Sequence, residues 1–312
     1  MSLAYRQVRE LSLSPGEHPR GRSFLSAASG LVRVGEHFYV VADDELHLGV
    51  FGVDGTAPLR LVRLFAGELS PGAEKRKAAK PDLESLVALP ALNAGTGNVL
   101  LALGSGSQPN RRRGVLLALD ERGEPQGVAR AVDLGPLYAT LAGHVDSLNI
   151  EGAFCETDSD VASLVLLQRG GLGRVNAAIR FDLADVMAWL VGQRVTAPRP
   201  GRVDAYELGA AGGVALAFTD GAALPDGAWL FSAVAEESDN SYDDGACRGA
   251  AIGIVDRDGT LRALHALAPT RKVEGVAARV VGDTVLLDMV TDADDPNCPA
   301  LLGATTLPLA RR

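Results

Sequence analysis

Short apolar runs separated by polar turns dominate the chain, and most are too short for helices. HFYVVAD, NVLLALGS, SLVLLQRG, AWLFSAVAEE and TVLLDMVTD each hold four to eight apolar or small residues rich in Val, Leu and aromatics, the pattern of buried strands. Each is followed by another run and a turn: HLGVFGVDG, GVLLALDERG, AAIRFDL, AAIGIVDRDG and ALLGATTL. The Asp-Gly and Arg-Gly pairs among them signal hairpins. LRLVRLFAG, GVARAVDLG, RVDAYELG and LRALHALA close four of these units. Only FDLADVMAWLVGQ, residues 181–193, has helical spacing, and it reads as an insertion between strands.

A shorter signature precedes each unit: ASGLV at Ser29, LESLV at Glu84, IEGAF at Glu151, TDGAA at Asp220 and VEGVA at Glu274. An oxygen-bearing side chain is followed by a small residue and apolar ones, at intervals of 55, 67, 69 and 54 residues. Repeats of this length imply units that bury their faces against one another. The expected fold is all-β, a single five-bladed β-propeller over residues 1–312, with six blades as the alternative if a longer unit divides. The blades fall at about 28–67, 80–135, 147–208, 213–268 and 272–308. The fifth unit lacks its fourth strand, and the N-terminal RQVRELSL, with the strand set at residues 5–12, can supply it, closing the ring and covering an edge.

The first strand of a propeller blade lines the axis, so Ser29, Glu84, Glu151, Asp220 and Glu274 are expected to form a ring. Converging carboxylates repel by kilocalories at ångström separations, so such a ring calls for protonation or a cation. Oxygen ligands without His or Cys suit a hard divalent ion, calcium first, and argue against zinc or copper. The loops expected on the same side carry Arg20, Arg22, Lys75, Arg76, Lys77, Lys80, Arg271 and Lys272, with Asp43, Asp44, Arg111, Arg169, Glu236, Asp292 and Asp294. Asp43, Arg169, Glu236 and Asp292 form a candidate second ring with catalytic roles. His144, seven residues before Glu151, is a candidate general base. A metal with basic loops suits a small anionic substrate or ligand.

The net charge of −9 and pI near 5.1 leave no field drawing the chain to nucleic acid or an anionic membrane. No signal peptide or membrane-length apolar run is evident, which makes the cytoplasm the default compartment. Cys155, Cys247 and Cys298 match neither a disulfide framework nor a zinc motif and read as reduced thiols. GSGSQ and RGGLGR open no convincing helix, so neither a P-loop nor a serine nucleophile elbow is expected. ESDNSYDDG at 237–245 has the composition of a calcium loop without EF-hand spacing. The oligomeric state is not legible.

The ring phase, the five units and the stretch AVAEESDNSYDDGACRGAAIGIVDRDGTLRALHALAPTRKVEGVAA resemble the calcium-activated nucleotidase, or apyrase, family. That resemblance implies a five-bladed propeller with axial calcium, matching Ser29, Glu84, Glu151 and Glu274 to its ligands, while Asp220 stands where that family has Ser. KVEGVA…VTDADD is also similar to phytase-like propeller proteins named for esterase or phosphatase relatives. Both resemblances imply a metal-dependent hydrolase of phosphate or other esters at the channel mouth. The alternative is a non-catalytic propeller with a structural axial cation that binds a protein or small ligand.

Overall fold

The computed structural model describes residues 2–55, 57–91, 97–158, 161–171, 173–237 and 245–309. The chain begins with β1 (Ser2–Ala4) and β2 (Arg6–Glu10), then enters blade one as β3 (Ala28–Val34), β4 (His37–Ala42), β5 (His47–Gly52) and β6 (Arg60–Arg63). Helix α1 (Ala73–Ala79) precedes blade two, β7 (Leu83–Leu89), β8 (Val99–Gly104), β9 (Arg113–Leu119) and β10 (Pro125–Asp133). Helix α2 (Gly135–Ala139) leads to blade three, β11 (Ile150–Asp158), β12 (Val161–Gln168) and β13 (Asn176–Asp182), followed by α3 (Leu183–Leu190) and β14 (Arg202–Tyr206). Blade four holds β15 (Ala210–Ala211), β16 (Val214–Ala223), β17 (Trp229–Glu237), β18 (Ala246–Val255) and β19 (Leu261–Ala268). Blade five is β20 (Val273–Val281), β21 (Thr284–Thr291) and β22 (Leu301–Pro308).

The five sheets form a five-bladed propeller. Neighbouring inner strands touch in the order β3, β7, β11, β16, β20 and back to β3, which closes the circle. Strand β2 pairs antiparallel with β22 and completes blade five. Just before it, β1 runs parallel to β19 of blade four, a pairing the sequence did not suggest, so the N-terminus stitches two blades together.

Middle strands are covered on both faces by adjacent blades, which is why β8 reads VLLALG without alternation and is buried throughout. One apolar core lies between each neighbouring pair of blades. Leu101 and Leu116 meet Leu164 and Ile179 between blades two and three, and Phe154 and Val165 meet Phe218 and Trp229 between three and four. The seam between blades five and one joins Leu31 and Phe38 to Val290 and Leu302, with Leu11 and Leu13 of the N-terminal segment filling it. Outer strands such as β10 are exposed along most of their length.

Helix α3 starts where Asp182 accepts a hydrogen bond from the Asp185 N–H at 2.9 Å, an N-cap. It packs Leu183, Val186 and Leu190 into the core of blades two and three. Helix α1, AEKRKAA, lies in a stretch read from the sequence as a charged loop. Among the described residues no helix is long and apolar enough to cross a membrane. Residues 238–244, most of the ESDNSYDDG segment, lie outside the described residues.

Each inner strand slips register once against its second strand, and the slips fall at equivalent positions. They leave Ser29, Glu84, Glu151, Thr219 and Glu274 as the extra residue of a bulge. The blade-four member of the ring is therefore Thr219, one residue earlier than the sequence placed it. Asp220 instead occupies the position held by Gly30, Ser85, Gly152 and Gly275 elsewhere. The inner strands converge there. A Cβ on Gly275 would meet the Leu31 backbone nitrogen at 2.7 Å, one on Gly30 the Leu86 nitrogen at 2.9 Å, and one on Gly152 the Asp220 Cα at 2.8 Å. At these three positions the close approach leaves no room for a Cβ without a shift of the neighbouring backbone.

Candidate functional site

At the convergence the axis is closed by the Asp220 side chain, which is 1% exposed. Its Oδ1 accepts the Gly221 N–H and its Oδ2 the Val276 N–H, both at 2.8 Å. The N–H groups of Ala153 and Leu31 also bond to it. One carboxyl thus receives donors from blades one, three, four and five. Burial pushes its pKa well above the usual carboxylate range, against the pull of these four donors. Asp220 is a clasp between inner strands, and its oxygens are spent on backbone.

The remaining ring residues lie at the bulges, and loops between second and third strands add their side chains beside those that precede the first strands. The Ser29 hydroxyl donates to the Ala27 carbonyl at 3.2 Å. Thr219 shares a 2.7 Å hydrogen bond with Ser232 and donates to the Val273 carbonyl at 2.7 Å. The Arg169 guanidinium pairs with Glu236 at 2.5 Å, Glu151 at 3.3 Å and Glu274 at 3.7 Å. Lys272 lies 3.6 Å from both Glu236 and Glu274 and pairs closely with Asp294. Burial alone would lower the Arg169 pKa, but the surrounding carboxylates outweigh it and raise it. The second-ring residues Arg169 and Glu236 are thus joined to Glu151 and Glu274 in one buried network.

Around Glu84 the arrangement differs. Carboxylate oxygens of Asp43, Asp82 and Glu84 lie within 4.8 Å of one another. The Lys80 ammonium pairs with Asp43 and, at 2.8 Å, with Asp82, whose other oxygen accepts from Arg111 at 2.9 Å. Burial opposes the Lys80 charge, yet Asp43, Asp82 and Glu84 hold its pKa above the ordinary lysine range. Burial raises the Glu84 pKa well above its ordinary value, reinforced by Glu151, Asp82 and Asp43. Asp82 was missed in the sequence. It stands just before β7 at φ 57°, and Glu84 is itself the bulge residue, so no strand period links the two and the pattern held no signal for it.

Calcium implied by the resemblance can be tested against these contacts. The Asp43, Asp82 and Glu84 oxygens span a distance that one calcium ion can bridge with its bonds of about 2.3–2.6 Å. Lys80 already lies against two of the three, and Asp220, Glu151 and Glu274 have the partners just given. The residues as arranged do not fit a divalent ion on the axis.

Asp43 and Asp292 line one groove of about 250 Å³ with Asp44, Arg76, Lys80 and Asp294. Asp292 and Asp294 also line a larger neighbouring cavity of about 590 Å³, whose wall includes Thr270, Lys272, Cys247 and Cys298. Burial, with Asp44 and Asp82 adding to it and Lys80 opposing, pushes the Asp43 carboxyl up to about 6. Burial, with Asp43 and Asp294 adding to it and Lys272 opposing, pushes Asp292 up to about 8. The Asp294 N–H donates to Asp292 Oδ1 at 2.8 Å, from a residue held at φ 54°. His144 is exposed on the turn after α2, and among the described residues no side-chain hydrogen bond or ion pair ties it to the mouth. Of the basic loop residues, Arg20 pairs with Asp44 and Glu45, and Arg76 with Asp44. The three cysteines are free and partly buried.

Solved structures resemble this chain at low sequence identity. An α-L-arabinofuranosidase from Podospora anserina, in complex with cellotriose, superposes with a TM-score of 0.50 at 9% identity, covering 99% of this chain and 98% of its own. The catalytic domain of an α-L-arabinofuranosidase of glycoside hydrolase family 62 from Coprinopsis cinerea gives 0.48 at 11% identity, with 98% and 97% covered. A mannose phosphorylase from Leishmania mexicana, in complex with phosphate, gives 0.45 at 11%, with 97% and 89% covered. No curated protein matches the sequence. The apyrase-like and phytase-like resemblances find no support in these comparisons. The model of a family of unknown function, DUF6929, matches residues 24–307, and the chain belongs to that family.

Proposed function

We propose that the mouth is the active site of an ester hydrolase in which Asp43 and Asp292 act as base and acid. The observation that carries this reading is the placement of both carboxyls in one groove with values pushed to about 6 and about 8. Near neutral pH the first is mostly ionised and the second mostly protonated, the states that general base and general acid catalysis require. Asp43 would take a proton from a water attacking the ester carbonyl or phosphoryl centre. Asp292 would give its proton to the departing alkoxide as the ester bond breaks. One water is consumed, and exchange with solvent restores both carboxyls. Lys80 beside Asp43 supplies positive charge for an oxygen that gains negative charge in the transition state. The two cavities that share Asp292 offer room on either side of it for the two parts of an ester. Phosphate esters belong to the class to be tested, with carboxylic esters and lactones.

A panel of p-nitrophenyl phosphate, p-nitrophenyl acetate, nucleotides and lactones tests the reading. Turnover is expected to follow a bell between about pH 6 and pH 8, with the limbs belonging to the coupled pair. Asp43→Asn and Asp292→Asn should each lower kcat by about 100-fold or more. Absence of turnover across the panel, or an Asp292→Asn variant as fast as the wild type, overturns it and leaves a binding propeller.

A further inference from the structure

The axial ring was expected to need a metal ion, and the contacts at the mouth point elsewhere. Eight carboxyls gather there, those of Asp43, Asp82, Glu84, Glu151, Glu236, Glu274, Asp292 and Asp294, facing the cations of Lys80, Arg111, Arg169 and Lys272. Lys80 is 8% exposed and Lys272 9%, so neither is a solvated surface lysine. Burying an ammonium costs several kcal/mol unless carboxylates surround it, and each of these two is so surrounded. Protons meet part of the remaining imbalance, because burial raises Glu84, Glu274 and Asp292 above the ordinary carboxylate range.

We infer that the chain supplies its own cations at this mouth, and that the Lys80 ammonium, against Asp43 and Asp82 and beside Glu84, stands where a divalent ion would otherwise bind. Two observations support the substitution. An ammonium at 2.8 Å from Asp82 has little room for a calcium ion beside it, since the ion would meet the same oxygens at about 2.3–2.6 Å. Two like charges bridging the same carboxylates would also repel. On blades three to five, Arg169 and Lys272 already meet the carboxylates that an axial ion would need. The inference concerns binding alone and does not rest on the hydrolase reading.

Calcium titration of the full chain by calorimetry, with melting curves in EDTA and in millimolar calcium, tests it. The wild type is expected to show no saturable calcium binding below millimolar concentration and one melting temperature in both buffers. Lys80→Met leaves three carboxylates without their ammonium, so it should gain a calcium-dependent rise in melting temperature. Lys80→Arg keeps the charge and should behave as the wild type. If Lys80→Met is unfolded in EDTA, recovery of its folded circular dichroism in calcium reads the same site. A wild type that binds one calcium in the micromolar range, or melts lower in EDTA, overturns the inference. So does a Lys80→Met protein that neither binds calcium nor is rescued by it.

Discussion

Replacing Asp220 by Ala removes the one side chain that receives backbone donors from blades one, three, four and five. The Leu31, Ala153, Gly221 and Val276 N–H groups would lose this acceptor at a buried position where the inner strands approach closely. Leaving a buried donor without a partner costs about 1–3 kcal/mol, so four donors set the loss at about 4–12 kcal/mol. Domains of this kind hold about 5–15 kcal/mol in all. Asp220→Ala should therefore unfold the protein or leave it close to unfolding. Asp220→Asn keeps one carbonyl oxygen but turns an amide N–H₂ toward two of the donors, so its loss should be intermediate. Urea denaturation followed by fluorescence of the fully buried Trp229, on the adjacent β17, measures both. An Asp220→Ala variant within about 1 kcal/mol of the wild type would show that the clasp contributes little, and that strand packing alone closes the axis.

Deleting residues 2–13 removes β1, β2 and the buried side chains of Leu3, Tyr5, Leu11 and Leu13, each worth about 1.5–3 kcal/mol of burial. The truncated chain should be largely unfolded at room temperature by circular dichroism, and an unchanged melting temperature would contradict the stitching of blades four and five. The pH dependence of stability follows from the raised carboxyls. Asp43 and Asp292, pushed to about 6 and about 8, bind protons in the folded state that they have lost in the unfolded one. Their contribution is complete below the ordinary carboxylate range and is lost as pH rises through those values. The melting temperature should thus be higher at pH 5 than at pH 8, with a smaller difference in Asp292→Asn.

The fold was legible because a propeller repeats its apolar pattern once per blade. The blade count, the four-strand order and the return of the N-terminal strand all follow from runs that recur at similar spacing. What the pattern could not give is an offset of one residue. TDGAA aligns with IEGAF when its glycine is matched, and this puts Asp220 in the ring. The bulge of blade four falls instead after Phe218, so Thr219 is the ring residue and Asp220 takes the glycine's place. Bulges are set by pairing across strands, which a local pattern does not contain. The parallel strand β1 was missed for a similar reason, since three residues are too few to show a period. Lysines in loops read as solvated charge, and Lys272, two before Glu274, was among them.

The offset in blade four also decides where chemistry can occur. Backbone symmetry puts one bulge residue per blade in the ring, but these are Ser29, Glu84, Glu151, Thr219 and Glu274, so the ring's own carboxyls come from blades two, three and five. Two of those three glutamates share Arg169, which locks that side of the ring in a buried network. Glu84 alone has no hydrogen bond or ion pair among the described residues, and it faces the blade-one loop that carries Asp43. Asp292, from the corresponding loop of blade five, lines one groove with Asp43, beside the ring residue Glu84. The hydrolytic site proposed above would draw its acid and base from blades five and one, across the seam that the N-terminal segment packs. Its geometry therefore depends on the same residues that close the ring.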